Sequence, residues 1–289
     1  MLRIGLLLIW LLHFLPLPLL ARVGELFGML LYLLGRERRN VARINLKLCF
    51  PQMGEAERAT LLRRHFRAVG RSIVERGLAW WAPQQRIERL VQFEGEEYMR
   101  AVAGKPVIWL APHFVGLDMG GVRLAISYDA ASMYSHQKNP AFDAVLLKGR
   151  TRFGKQTLVS RQDGLRPAIR LIRQGTPFYY LPDMDFGTRD SLFVPFFGVR
   201  AATIAGVPRL ARITGAVVLP CVTRMLPGGA GYVLKFYPAW EAYPTDDEAA
   251  DVRRMNEFIE QRVLEMPEQY YWLHKRFKNR PPGEARFYD

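Results

Sequence analysis

The chain has few cysteines and none of the common nucleophile or phosphate-binding motifs. Its 289 residues include two cysteines, Cys49 and Cys221, which lie far apart and outside any CxxC spacing. This argues against a disulfide framework or a zinc site and predicts free, buried thiols in a reducing compartment. There is also no G-x-S-x-G elbow, P-loop or G-x-G-x-x-G fingerprint. The sequence therefore contains no evident covalent nucleophile.

Acidic residues are also in short supply. The chain has 41 Lys and Arg against 27 Asp and Glu, which gives a formal net charge of +14. Such an excess favours an anionic partner: a nucleic acid, an anionic membrane surface or an acidic protein. No zinc finger or RNP aromatic motif is present, so we expect no nucleic-acid partner. A nucleic-acid binder would show an affinity that falls steeply with salt.

Charge is absent from a long run near the N-terminus. Seventeen residues from Ile4 to Leu20 include no Lys, Arg, Asp or Glu, and would span roughly 26 Å as a helix. Pro16 and Pro18 interrupt the end of this run, and the apolar pattern resumes over residues 26–34. We predict an uncleaved membrane anchor over residues 1–34, either spanning the bilayer or lying in its plane. A cleaved signal peptide and a buried core helix are the alternatives.

The segment that follows the predicted anchor is basic. Residues 36–76 contain eleven Lys or Arg and four acids. By the positive-inside rule this flank is cytoplasmic, and it can hold anionic lipid headgroups. A solvated helix face is the alternative interpretation for any single arginine.

Strands and helices alternate through the rest of the chain. Residues 55–81 read as one long amphipathic helix, and Thr203 as the N-cap of a later one. The predicted strands are 107–111, 131–134, 157–160, 178–181, 217–222 and 232–237, and the predicted helices are 117–127, 140–152, 164–173, 203–214 and 248–265. This order predicts an α/β fold: a mixed, largely parallel sheet flanked by helices, in one catalytic domain over residues 35–289, behind the anchor.

The strongest chemical signal is His113 with Asp118, five positions on. The pair follows the apolar run 107–110 and precedes a helical stretch, and open α/β sheets place their chemistry at such strand ends. Histidine takes a proton near neutral pH, and a carboxylate can fix its tautomer. We predict that Asp118 orients His113 as a general base. Residues five apart do not stack on one helix face, so His113 is expected in the loop and Asp118 in the first helical turn.

Other polar clusters supply candidate substrate contacts. Asp183, Asp185 and Arg189 follow another predicted strand. The arginine can bind a phosphate or carboxylate, and the acids can orient that arginine, His113 or loop amides. Lys148 and Arg152, spaced i and i+4, can present charge to an anionic substrate, although a solvated face explains them equally well. The acids can also be turn formers, and an Asp-x-Asp metal site with His113 is a weaker alternative; we expect no metal.

The ordered motifs resemble one known family. His113-x4-Asp118, Asn45-Leu46 with Cys49-Phe50-Pro51, and the run Met133 to Asn139 match the late (secondary) acyltransferases of lipid A biosynthesis, the HtrB/LpxL family, within the wider H-x4-D glycerolipid acyltransferase group. Three further blocks match. The first is Asp183-x-Asp185-x-Gly187 with residues 193–197, and the second is Ala202-Thr203 with Gly215-Ala216 and Pro220. The third, near the C-terminus, is residues 268–270 with His274-x-Arg276-Phe277-Lys278. One departure is Met184, where the family is expected to have glutamine.

The resemblance implies a function. Such enzymes work at the cytoplasmic face of the bacterial inner membrane. They move a fatty acyl chain, of roughly twelve to fourteen carbons, from acyl-acyl carrier protein to the 3-hydroxyl of an acyl chain on a Kdo-bearing lipid A precursor, and need no cofactor. His274 and Arg276, in the matching C-terminal block, become candidate substrate contacts. Two alternatives stay open: an acyltransferase acting on a lysophospholipid or aminolipid, and a non-catalytic membrane lipid-binding protein.

Overall fold

The apolar N-terminus forms two helices rather than one. The computed structural model describes residues 2–288, so Met1 and Asp289, the outer ends of the two predicted ranges, lie outside it. Helix α1 covers Leu2–Leu12 and α2 covers Leu17–Leu34, with Pro18 in the first turn of α2, where a missing backbone N–H does no harm. By length and composition, α2 alone among the described helices is apolar enough to cross a membrane.

Helix α2 packs closely against the long helix α4. After α3 (Arg36–Cys49), α4 covers Glu55–Trp81, as predicted. The two helices meet at three glycines, Gly24 and Gly28 of α2 and Gly70 of α4, where a Cβ on Gly70 would lie 2.2 Å from the Gly24 carbonyl oxygen. A Cβ on Gly28 would lie 2.1 Å from the carbonyl oxygen of Phe66. The α2 part of the predicted anchor therefore packs closely against the body of the protein. The predicted domain boundary between residues 34 and 35 stays a prediction.

A seven-stranded sheet forms the centre of the molecule. Its order is β1-β9-β8-β2-β5-β3-β4, and every neighbouring pair is parallel except β8 with β9. The strands are β1 (Val91–Glu94), β2 (Val107–Leu110), β3 (Ala130–Tyr134), β4 (Gln156–Ser160), β5 (Phe178–Tyr180), β8 (Val217–Met225) and β9 (Tyr232–Phe236). All four residues of β2 are buried, in keeping with its position at the centre of a parallel sheet. The predicted fold class, a mixed and largely parallel sheet flanked by helices, is confirmed.

Helices cover both faces of the sheet. The remaining helices are α5 (Gln84–Leu90), α6 (Glu96–Ala101), α7 (Leu117–Ser127), α8 (Pro140–Arg150), α9 (Arg166–Arg173), α10 (Gly206–Thr214) and α11 (Glu248–Glu265). The β2-α7-β3 connection moves across the sheet towards β4, whereas the β4-α9-β5 connection moves back towards β2. Because both crossovers are right-handed, α7 and α9 lie on opposite faces. Helix α4 packs on α7, and α2 packs on α4, whereas α9 packs on α10. The N-terminal helices thus lie on the α7 side.

The structure departs from the predicted elements in several places, of which three bear on the site. A hairpin of β6 (Ser191–Phe196) and β7 (Val199–Ile204) packs against α11 and was not predicted. Thr203 was predicted as an N-cap but lies inside β7, fully buried, where its hydroxyl donates to the Ala201 carbonyl; α10 begins after Ala205. Helix α8 ends at Arg150, two residues earlier than predicted.

The glycine contact between α2 and α4 yields a stability prediction. Gly70→Ala should lower the thermal stability of the detergent-solubilised protein, because its methyl group meets backbone atoms that cannot rotate away. The expected loss is about 2 kcal/mol or more, even though alanine is the better helix former by about 1 kcal/mol. Thermal unfolding followed by circular dichroism measures it.

Gly5→Ala is the matched control, since nothing lies within 4 Å of its Cβ position on α1. The control should be unchanged or slightly stabilised. Equal stability of the Gly70 and Gly5 variants would contradict the close approach of α2 and α4.

Candidate active site

His113 lies in the loop after β2 and is held by a carboxylate in the loop after β5, the strand beside β2 in the sheet. Its backbone N–H donates to Asp183 Oδ2 at 2.9 Å, and its ring Nδ1 lies 2.6 Å from Asp183 Oδ1. The His113 carbonyl accepts the N–H of Tyr271 at 3.0 Å. Because β2 and β5 are neighbours in the sheet, the segments that follow them meet at one edge. The carboxylate of Asp183 thus fixes both the main chain and the ring of His113 and makes no bond to the other ring nitrogen, Nε2.

Asp183 is ionised and almost inaccessible. Its side chain is 1% exposed, whereas that of His113 is 18% exposed. Burial alone would raise the pKa of Asp183, but the charge and the two hydrogen bonds of His113, together with Arg276, outweigh burial and lower it. A buried carboxylate of this kind holds the proton of the ring on Nδ1, because it can only accept.

Asp118 occupies a different position from the one predicted. It lies in the first turn of α7, as expected, but its carboxylate pairs with Arg76 of α4 at 2.8 Å and with Arg150 of α8 at 3.7 Å. Burial raises the pKa of Asp118, but the two arginines, helped by the charge of His113, lower it overall. Ring Nδ1 of His113 bonds to Asp183, so the prediction that Asp118 orients the imidazole is corrected. The reason is that Asp183, in the loop after β5, lies directly beside the loop after β2.

A large cavity opens beside these groups. It has a volume of about 870 Å³, within the range of roughly 300–1,000 Å³ typical of small-molecule sites. His113, Asp118 and Arg150 line it. One part of its wall is apolar and comes from α4, α7, α8 and the sheet: Trp80, Trp109, Val122, Leu124, Leu146 and Leu158. Another part is charged: Arg161, Arg189 and Asp190 come from the segments after β4 and β5, and Arg209 comes from α10.

Comparison with known proteins identifies the family to which this chain belongs. The family model for bacterial lipid A biosynthesis acyltransferases matches residues 1–279. The chain belongs to that family. It is 36% identical over 283 residues to the lipid A biosynthesis lauroyltransferase of Escherichia coli K12, covering 97% of this chain and 92% of that protein.

Two further relatives from the same organism carry different acyl names. The lipid A biosynthesis palmitoleoyltransferase is 34% identical, over 98% of this chain and 93% of that protein. The lipid A biosynthesis myristoyltransferase is also 34% identical, over 94% of this chain and 83% of that protein. A crystal structure of the 1-acyl-sn-glycerophosphate acyltransferase of Thermotoga maritima aligns with a TM-score of 0.41 and 16% identity, over 85% of this chain and 96% of that one. The chain is thus an acyltransferase of lipid A biosynthesis.

The other predicted substrate contacts of this acyltransferase divide into two groups. Arg189 lines the cavity, but at its mouth, since its side chain is 97% exposed. Asp185 instead stabilises its own loop: it accepts the N–H of Gly187 and the N–H and side-chain amide of Asn279. His274 accepts the Asp185 N–H at 2.8 Å and ties the same loop to the C-terminal segment. Asp185 and His274 therefore position the loop that carries Asp183.

Three predicted contacts lie away from the cavity of the acyltransferase. Arg276 is 2% exposed, and its guanidinium donates to the Ala202 carbonyl and the Thr203 hydroxyl, so it joins β7 to the C-terminal segment. Arg152 donates to the Ala79 and Ala82 carbonyls at the end of α4. Lys148 is exposed on the outer face of α8 and does not line the cavity. The structure contradicts the roles predicted for Arg276 and Arg152, whose guanidinium groups bond to the protein itself, whereas the role of Lys148 stays a prediction. Helix α8 turns Gly149 and Arg150 towards the cavity.

Sequence reasoning missed Arg76 and Arg150. Arg76 was counted in the basic stretch 36–76, and Arg150 lies between the two predicted contacts Lys148 and Arg152; nothing local distinguishes either from its neighbours. Their role depends on α4 and α8 both lying against the start of α7. Within residues 2–288, no group of three His, Cys, Asp or Glu side chains is placed to hold a metal ion.

His274 gives a pH prediction. Burial, with the nearby charge of Arg276, lowers the pKa of His274 from 6.5 to about 4. The unfolded chain therefore binds a proton between pH 6.5 and 4 that the folded protein does not. This histidine costs the folded state up to about 1.4 kcal/mol per pH unit as the pH falls through that window.

His274→Gln keeps an acceptor for the Asp185 N–H but does not titrate. The free energy of unfolding of the wild type, measured by denaturant titration, should fall relative to this variant between pH 6.5 and pH 4. A difference between the two proteins that stays constant across this window would refute the assignment of a buried, neutral His274.

Proposed function

We propose that this protein transfers a fatty acyl chain from acyl-acyl carrier protein to the 3-hydroxyl of an acyl chain on a Kdo-bearing lipid A precursor. Family membership supports the reaction class and the lipid A substrate. The observation that carries the mechanism is the His113–Asp183 pair in the wall of a cavity that has both an apolar and a basic side. The apolar side suits an acyl chain, and the basic side suits phosphate-bearing substrates.

His113 acts as the general base in this proposal. Asp183 holds the proton on Nδ1, so Nε2 carries the lone pair that accepts the hydroxyl proton of the acceptor. The acceptor oxygen then attacks the thioester carbonyl carbon, a C–O bond forms and the C–S bond breaks. The proton on Nε2 passes to the departing sulfur, which leaves as a thiol. General base catalysis of this kind contributes typically 10²–10⁴-fold.

Arg150 is our candidate for stabilising the developing oxyanion. It lines the same cavity as His113, its side chain is 35% exposed, and Asp118 anchors it from the side at 3.7 Å. A positioned cation acts most strongly where charge develops in the transition state. In this assignment Asp118 is a positioning residue, which fixes Arg150 together with Arg76.

Activity assays of point variants test the mechanism. His113→Ala and Asp183→Asn should each lower kcat by about 100-fold or more. The first removes the base; the second replaces one of the two acceptor oxygens with a donor, so that the backbone N–H and the Nδ1 proton of His113 can no longer both be accepted. Turnover is measured with acyl-acyl carrier protein and the Kdo-bearing precursor. Asp246→Asn, which removes an exposed carboxylate from the segment before α11, is the control and should keep wild-type turnover.

A folded His113→Ala variant with near wild-type turnover would overturn the mechanism. The acceptor is tested separately, by mass spectrometry of lipid A from a strain lacking this gene. An unchanged acyl count there would favour a lysophospholipid or aminolipid acceptor instead.

We further propose that α1 and α2 lie in the plane of the inner membrane, at its cytoplasmic face. Among the side chains that the structure describes, fourteen large apolar ones are exposed, and eleven of these belong to the two helices and the turn between them. Yet α2 runs alongside the middle of α4, with Gly24 against Arg71 and Gly28 against Arg67. A spanning α2 would carry those arginines into the hydrocarbon, which is costly. An in-plane helix leaves the exposed Arg67 at the headgroups, where cations are favoured, and Arg71 stays buried in the protein with its partner Glu75.

Flotation with vesicles tests whether α1 and α2 bind the membrane in this orientation. Leu26, Leu30 and Leu33 form an exposed stripe on α2, spaced by four and three residues. The triple substitution of these leucines by serine should markedly reduce flotation with vesicles rich in anionic phospholipid, because it removes apolar area from the bilayer. Leu264→Ser, at an exposed leucine of α11, is the control and should float as the wild type does. Undiminished flotation of the triple variant would contradict the proposal.

A further inference from the structure

The outer face of α9 is a row of arginines. Ala168 and Ile172 are buried against the sheet, whereas Arg166, Arg170 and Arg173 are exposed. Their spacing of four and three residues puts the three guanidinium groups on one side of the helix. The segment from Arg161 to Arg173 carries four arginines and one acid, Asp163, so its charge is 4 − 1 = +3.

Two of these arginines have no acidic partner. Within residues 2–288, none of the ion pairs includes Arg166 or Arg170. The other arginines near the cavity differ: Arg209 pairs with Glu248 at 2.8 Å, and Arg150 pairs with Asp118. The cations of α9 therefore remain available to an external acidic group.

The row begins at the mouth of the catalytic cavity. Arg161 and Leu165 line the same cavity as His113, and Leu165 directly precedes the first arginine of α9. Leu165 is 36% exposed and Ile213 is 49% exposed, two of only three such large apolar side chains outside the N-terminal segment among the described residues. Arg173 donates to the Ile213 carbonyl at 2.7 Å, which joins the far end of the row to α10. The surface thus combines cations with two apolar contacts.

This surface points away from the apolar N-terminal helices. Helices α9 and α10 cover one face of the sheet, whereas α7, α4 and α2 are stacked on the other. With α1 and α2 at the bilayer, the arginine row faces the aqueous phase. The arginine row therefore fits a soluble acidic partner rather than a lipid headgroup.

We propose that the α9 surface, formed by Leu165, Arg166, Arg170 and Arg173, is the docking site of the acidic carrier protein that brings the acyl thioester. The inference rests on the proposed function, which assigns an acyl carrier protein as donor. Acidic side chains of the carrier pair with the arginines, and an apolar side chain contacts Leu165 next to the cavity mouth. The thioester then enters where Arg161 and Leu165 line the opening.

Another basic cluster fits this role less well. Lys275, Lys278, Arg280 and Arg286 surround a smaller cavity near the C-terminus. Glu284 lies among them and pairs with both Arg280 and Arg200, so part of the charge is already neutralised. None of these residues lines the cavity that contains His113.

A charge reversal tests the docking surface. Arg166→Glu/Arg170→Glu should raise KM for acyl-acyl carrier protein by about tenfold or more, because attraction becomes repulsion at two positions, and should leave kcat within about threefold. The matched control is Arg100→Glu/Lys105→Glu, which makes the same charge change at exposed, unpaired positions before β2, at the opposite edge of the sheet. The control should keep the wild-type KM.

A donor without a carrier separates docking from catalysis. With an acyl-pantetheine thioester, the wild type and both double variants should have equal kcat/KM, because this donor has no acidic surface. The wild-type KM for the carrier donor should also rise with salt, and that of Arg166→Glu/Arg170→Glu should not, since screening weakens attraction. The milder Arg166→Gln/Arg170→Gln variant should give an intermediate KM.

An unchanged KM for the carrier donor in the folded Arg166→Glu/Arg170→Glu variant would overturn the docking surface. An equal rise in the Arg100→Glu/Lys105→Glu control would overturn it as well, because the effect would then be one of net charge. If the wild type itself transferred acyl groups from other thioesters but not from the carrier protein, the proposed donor would be wrong, which is a different failure.

Discussion

The candidate site depends on one carboxylate that binds one histidine twice. Asp183 accepts the backbone N–H of His113 and contacts its ring Nδ1, so the main chain and the imidazole are fixed together. The parallel pairing of β2 with β5 makes this possible, because it brings the ends of two strands that are distant in sequence to the same edge. Asp185, Asn279 and His274 then hold the loop that carries Asp183. Without this frame, His113 would be one more loop histidine.

The layers of the fold separate the two substrates of the proposed reaction. Helices α1 and α2 present apolar side chains on the α7 side of the sheet, and α9 presents arginines on the other side. The cavity that contains His113 takes wall residues from both α4 and the loop before α9. A membrane-bound acceptor and a soluble donor can therefore approach from different directions and meet at one base.

Much of the fold could be predicted from the sequence because its signals are local. Buried parallel strands such as β2 are short apolar runs, and α4, α7 and α11 show helical periodicity with clear ends. The hairpin β6–β7 was missed because its first strand contains Pro195 between two phenylalanines and lacks a clean alternation of apolar and polar residues. Thr203 was misread because a threonine before an apolar run looks like a cap, whereas the start of α10 is set by where β7 ends.

The site could be predicted only in part, because its contacts are long-range. His113 was found from its strand-end position, but the sequence neighbour Asp118 was paired with it instead of Asp183, seventy positions away. Arg276 was predicted as a substrate contact from its place in the matching C-terminal block. Its burial between β7 and the C-terminal segment follows from packing that no local pattern encodes. Arg150 was passed over in favour of Arg152, since the end of α8 was predicted two residues too late.

The tautomer of His113 tests the account most directly. Nitrogen-15 NMR of the histidine side chains, assigned with His113→Gln, reports which ring nitrogen carries the proton at neutral pH. We predict a protonated Nδ1 and a bare Nε2 in the wild type and in Asp118→Asn, and loss of that preference in Asp183→Asn. A neutral His113 protonated on Nε2, or a tautomer that changes with Asp118 and not with Asp183, would contradict the account.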